Sequence, residues 1–242
     1  MRSSLRLWLR LTWKGLLGWT LGSGVMFTVV LAAYKAAVPN PADAARFAAT
    51  LEPFAKTFEV ILGKAEALGT PGGFITWRLL GVLPVIVAIY AIFLATRMTL
   101  AEERRGTTDL ALSTPLTRRA LLAGQGLSLV VVSLVVGVGG ALVGWAGARG
   151  LGIDLGGAAA AVGAGLDVGL LVLCWAAIAG LVAQYARSRS SAGAITTTLM
   201  LVAFLVTNVG EASGAFRMLA WLSPFTFYKQ SRPLVPGHGL VA

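Results

Sequence analysis

Residues 79–96 read LLGVLPVIVAIYAIFLAT, without one charged side chain. Extended back to Phe74, the run exceeds the ~20 apolar residues a helix needs to cross the ~30 Å hydrocarbon core of a bilayer. Four other stretches do the same, at 15–34, 120–148, 158–183 and 191–209. None alternates apolar and polar residues as a barrel strand does. Lipid offers no partner to backbone groups, so only helices and closed barrels can span it. The sequence therefore predicts an all-α fold, a polytopic transmembrane helical bundle forming one domain over 1–242.

Composition agrees. Hydrophobic residues make up 57% of the chain and charged residues 12%, against roughly 45–50% and 25% in ordinary globular proteins. The mean hydropathy is +0.80. Such a chain cannot cover a soluble surface with polar groups, and it is too apolar to stay disordered. The net charge of +10 would suggest nucleic acid in a soluble protein. Here it fits basic residues flanking spans and meeting anionic lipid, so membrane lipid is the expected partner and nucleic acid is not.

The basic residues also orient the chain. Arg2, Arg6, Arg10 and Lys14 precede the first span. Arg97, Arg104, Arg105, Arg118 and Arg119 fill the connection 97–119, and Arg187 and Arg189 that at 184–190. The other side holds Lys35, Arg46, Lys56, Lys64, Arg149, Arg217, Lys229 and Arg232, spread more thinly and partly cancelled by Asp43, Glu52, Glu59 and Glu66. The denser side is cytoplasmic by the positive-inside rule. The N-terminus is then inside.

Residues 1–14 repeat a basic side chain every four positions, opposite Leu5, Leu7, Trp8 and Leu11. This predicts an interfacial amphipathic helix. A signal peptide is the alternative, but the apolar run that follows is longer than the ~7–15 residues of a signal core. Residues 35–73 form an external helical segment, entered through Pro39-Asn40-Pro41, helical from Ala42 to Leu68 with Pro53 interrupting it, and closed by Gly69–Gly73. Gly18/Gly22, Gly140/Gly144 and the row Gly157, Ala161, Gly165, Gly169 have the small-xxx-small spacing that lets helices approach closely, within the chain or between chains. The tail 210–242 is read as external or re-entrant, with Ala215–Phe227 a short re-entrant or interfacial element and Trp221 and Tyr228 at headgroup level.

One connection carries more information. From Glu102 it reads EERRGTTDLALSTPLTRRALL. Gly106 can end the helix continuing from span two, and Thr107 or Thr108 can cap a new turn. Leu110 and Leu112 offer apolar contacts. Thr114 and Pro115 suit the start of the next helix, which Arg118 and Arg119 anchor at the membrane surface.

This connection resembles the intracellular loop of the type-2 ATP-binding-cassette (ABC) exporter permeases. The matching residues are Glu103, Arg105, Gly106, Thr107, Asp109, Leu110, Leu112, Ser113, Pro115, Thr117, Arg118 and Leu121. Arg104 is an extra residue, and Ala111 stands where leucine is usual. The resemblance extends over nearly the whole chain, through the basic start, Gly18-Trp19, the external helix, Ser188-Arg189, and Leu222-Ser223-Pro224-Phe225 with Tyr228. It implies a permease half-transporter that works with a second permease subunit, as homodimer or heterodimer. The loop would be a coupling helix seated in a separate ATPase subunit, which binds ATP and Mg. Drug- or antibiotic-like molecules are the family's common cargo. The family half has six spans and five are visible here, which leaves a scaffold or regulatory subunit, or a permease fragment, as the alternative.

No G-x-x-x-x-G-K-[ST] motif occurs, since Gly63-Lys64 is followed by Ala65, so this chain is not expected to bind ATP. The single histidine, His238, and the single cysteine, Cys174, form no nucleophilic site. No ligand cluster suggests a metal. The chain is not expected to be an enzyme. Asp167 lies about ten residues into the fourth span. A charge at that depth costs ~2.5–3.5 kcal/mol on insertion scales, so it should face a cavity or a partner. Arg78, near the external end of span two, is the expected pair. Asp167 could alternatively sit shallower, near the headgroups, or serve an ion-coupled transporter. Pro84 is expected to kink span two. Heavy use of Ala, Gly and Arg points to a GC-rich bacterium and its plasma membrane.

Overall fold

The computed structural model describes residues 2–101, 118–213, 217–231 and 234–235. Among them, all regular secondary structure is helical. Five helical spans are long and apolar enough to cross a membrane: Trp8–Ala37, Pro71–Thr99, Leu122–Gly150, Ala158–Tyr185 and Arg189–Glu211. The shortest has 23 residues, about 35 Å at 1.5 Å per residue, and still exceeds the hydrocarbon thickness.

Helix α1 is Arg2–Ala37. No break separates the basic start from the first span at Gly15. The chain is one helix of 36 residues, about 54 Å long. Its early turns already face protein, because Trp8 is only 5% exposed and joins the main core. The Thr12 hydroxyl is spent on the Trp8 carbonyl at 2.9 Å.

A 3₁₀ turn, Pro41–Asp43, leads into α2, Ala44–Thr57, and the short α3, Glu59–Leu62. Pro53 lies inside α2 without ending it. The helix continues to Thr57, whose hydroxyl donates to the Pro53 carbonyl at 2.9 Å. Helix expected as far as Leu68 stops instead at Leu62. Gly63 takes a φ of +79° and Ala67 one of +54°, and these left-handed residues turn the chain back toward the bundle.

The second span is built from pieces. Thr70 accepts the Gly73 N–H at 3.0 Å and caps α4, Pro71–Ile75, with Pro71 in the first turn. A π-helical turn, Thr76–Leu80, follows, and then α5, Leu83–Thr96. Pro84 therefore does not kink a continuous helix. It occupies the first turn of α5, after a break at Gly81 and Val82. A second π turn, Arg97–Ala101, ends the span. The third span is α6, Arg118–Leu134, a π turn at Val135–Gly139, and α7, Gly140–Gly150. Helices α8, Ala158–Tyr185, and α9, Arg189–Ser213, are the fourth and fifth. Two short helices follow, α10, Arg217–Ala220, and α11, Pro224–Ser231.

Helix α8 is central and touches α5, α6, α7, α9 and α11. Its Val168, Leu171, Val172, Trp175, Ala176 and Ala179 are buried, facing Val87, Ala88, Ala91, Ile92 and Ala95 of α5. Both rows follow the three- and four-residue helical spacing. Of the small-residue rows, Gly140 and Gly144 pack on Ser23 and Phe27 of α1, and Gly165 and Gly169 on the backbone around Ser133–Val138. A Cβ added at Gly18 or Gly22 would meet nothing within 4 Å among the described residues.

Antiparallel connectivity gathers the connections at two ends. One end holds the start of α1, the stems of the 97–118 connection and residues 186–188. The opposite end holds 38–70, 151–157 and the return after α9.

Candidate functional site

The loop-rich end contains a polar cluster around α11. Ser223 and Pro224 start this helix. The Ser223 hydroxyl accepts the Phe225 N–H at 3.3 Å and donates to the Ala203 carbonyl of α9 at 3.3 Å. Ala203 lies about 15 Å before the end of α9, so the chain has re-entered the bundle by this point. Phe225 is 2% exposed. It packs between Trp175, with ring centroids 5.8 Å apart, and Phe204, at 5.3 Å. Helix α11 then runs back along α8 toward the loop-rich end and reaches Asp167 at Ser231.

The hydrogen bonds along α11 are specific. Pro84 has no N–H, so the Leu80 carbonyl four residues earlier lacks its helical donor. The Tyr228 hydroxyl supplies one at 2.9 Å. Tyr228 thus reaches into the bundle, while Trp221 is 58% exposed. Lys229 donates to Glu211 Oε2 at 2.7 Å and to Asn208 Oδ1. Asn208, fully buried on α9, donates its Nδ2 to the Ile61 carbonyl at 3.0 Å. One eight-residue helix thus ties together α3, the break before α5, α8 and α9.

Asp167 is partly buried, about 13 Å along α8 from Ala158. Its Oδ2 accepts from the Ser231 hydroxyl at 2.6 Å. The expected pair with Arg78 does not form. Trp77 turns inward, 4% exposed, and Arg78, one position on, points outward. Sequence reasoning missed Asn208, Glu211, Lys229 and Ser231. The one local signal was Pro84, whose missing N–H announces an orphan carbonyl at Leu80.

Asp167, Thr76, Trp77, Tyr228 and Lys229 line a cavity of about 50 Å³. That is room for a few waters, far below the ~300–1,000 Å³ of small-molecule sites. The Thr76 hydroxyl and the Trp77 indole N–H beside it have no hydrogen-bond partner among the described residues. No group of three or more metal-ligating residues occurs among the described residues.

At the other end, Glu103, Arg105, Gly106, Thr107, Asp109, Leu110, Leu112 and Pro115 lie outside the described residues, and Arg118 opens α6. The stems of this connection are joined. Gln125 of α6 donates its Nε2 to the Met98 carbonyl at 3.1 Å, and Met98 is 1% exposed.

Residues 15–239 match the family model described as ABC-2 family transporter protein. The chain belongs to this family. No curated protein matches it. As an ABC-2 transporter protein it is a multi-pass membrane subunit, and such permeases generally pair with separate subunits that carry the ATPase. The resemblance carried by the 102–121 connection and the five spans points to the same family.

Proposed function

We propose that this ABC-2 subunit is the permease half of an ATP-driven exporter of drug- or antibiotic-like molecules in a bacterial plasma membrane. The family match over 15–239 carries the reading. In it, 102–117 is the coupling element, with Leu110 and Leu112 seated in the ATPase and Glu103, Arg105, Asp109 and Arg118 flanking them. The Gln125–Met98 tie supports this, because a lever needs two stems that move together. The concentration of basic residues at that end supports a cytoplasmic N-terminus. Asp167 belongs to the outer end of the substrate path, between a cavity of about 50 Å³ and an open pocket of about 240 Å³. A second permease subunit, identical or different, completes the path.

The test is co-purification with the candidate ATPase from detergent, wild type against a Leu110→Glu, Leu112→Glu double variant. Wild type is expected to co-elute and the double variant to lose the ATPase. Equal co-elution of both overturns the coupling role. Absence of any ATPase with wild type favours a scaffold subunit.

A further inference from the structure

A second feature of the loop-rich end lies outside the polar cluster, on the lipid-facing side of Trp77. There α2 leans over the first two spans and leaves an open groove of about 350 Å³. Its walls are Phe47, Leu51 and Phe54 of α2 and Phe74 and Trp77 of the second span. They are held by aromatic contacts that bridge the elements, Phe47 to Phe74 at 5.7 Å and Phe54 edge-on to Trp77 at 6.2 Å. The Tyr34 ring packs on both Phe47 and Phe74. The groove is therefore preformed. Among the described residues, one charged side chain lines it, Arg78.

Depth decides what Arg78 meets. The span Pro71–Thr99 has 29 residues, about 43 Å, so centring it on a ~30 Å core leaves roughly 6–7 Å at each end among the headgroups. Arg78 lies about 10 Å from Pro71 along the helix, just inside that boundary. A guanidinium there needs an anion, and its stem can carry it back to the phosphate level. No ion pair to Arg78 occurs among the described residues. No carboxylate among the described residues lines the groove either, so a lipid with its own ammonium group would find no partner for it there.

We propose that this groove holds one anionic glycerophospholipid, its phosphate on the Arg78 guanidinium and an acyl chain against Phe47, Leu51 and Phe54. Planar, forked guanidinium geometry suits a phosphodiester. The open aromatic walls accept a chain that a free anion lacks. This site is independent of the coupling loop and of the exported substrate.

Native mass spectrometry of the purified protein in detergent, titrated with dioleoylphosphatidylglycerol or dioleoylphosphatidylcholine, tests it. Wild type is expected to retain one phosphatidylglycerol per chain, held roughly fivefold or more above phosphatidylcholine. Arg78→Gln should lose that preference and Arg78→Lys keep part of it. Ala33→Trp, which fills the groove from α1 with Arg78 intact, should also lower retention. Melting of each variant in lipid-free detergent checks folding separately. Equal phosphatidylglycerol retention in wild type and Arg78→Gln overturns the proposal. Full retention in Ala33→Trp overturns the groove as the seat of the chain. Competition by inorganic phosphate at the lipid's own concentration overturns the lipid in favour of a free-anion site.

Discussion

The seam between α1 and α7 and the seating of α11 against α8 and α9 solve the same problem in opposite ways. Lipid tails are as apolar as leucine, so helices in a membrane gain little from hiding apolar surface from one another. Along α1 and α7 the chain removes side chains until backbones nearly touch. A Cβ on Gly24 would lie 2.5 Å from Val143, and one on Gly144 would lie 2.5 Å from Phe27. Around α11 it adds side chains instead. Phe225, Trp175 and Phe204 fill the space, and polar groups close on backbone carbonyls left open elsewhere. The first contact has no room for an added atom. The second tolerates no missing one.

That contrast can be broken by substitution, with thermal unfolding in detergent as the readout. Phe225→Ala should have the largest effect, a destabilisation of about 3–5 kcal/mol from the cavity between two rings. A loss below 1 kcal/mol would mean that α11 is not seated as described. Gly144→Val should cost about 1–3 kcal/mol by overpacking against Phe27, whereas Gly18→Val, with nothing within 4 Å, should stay within about 0.5 kcal/mol. Equal effects at the two glycines would remove the seam as an explanation. Tyr228→Phe should cost about 1–2 kcal/mol by leaving the Leu80 carbonyl without a donor. Pro84→Ala restores an N–H four residues on, so the double variant should recover part of that loss, and strict additivity would sink the link between the two residues. Ser231→Ala should have the smallest effect, about 0.5–1.5 kcal/mol, since Asp167 keeps access to the watery cavity.

The spans were legible because each is a long local run, and composition alone sets their state. The row through Gly165 and Gly169 was legible as a packing face, though not its partner, which is the backbone around Gly137. The continuity of α1 was not, because charges every four residues suggest a surface helix whether or not the next span continues it. Asp167 was recognised as needing a partner, but the partner is a serine 64 residues away. Depth matching offered Arg78 instead, since it knows nothing of which way Trp77 turns. Lys229 read as one more flanking charge, although its ammonium is nearly enclosed by Glu211 and Asn208. Pairings across long separations leave no periodic trace. The coupling role proposed for 102–117 was legible only through a family pattern, since the partner proposed for it is another protein.

The bond from Tyr228 to Leu80 also has a history during synthesis. Its two residues are 148 positions apart. At roughly 5–20 residues per second, on the order of ten seconds pass between the emergence of the proline and that of the phenol that compensates it. Through that interval the second span carries an open carbonyl beside the membrane, and water or a lipid headgroup must stand in for the hydroxyl. The loop-rich end is thus completed late, by a segment that displaces those stand-ins as it folds back.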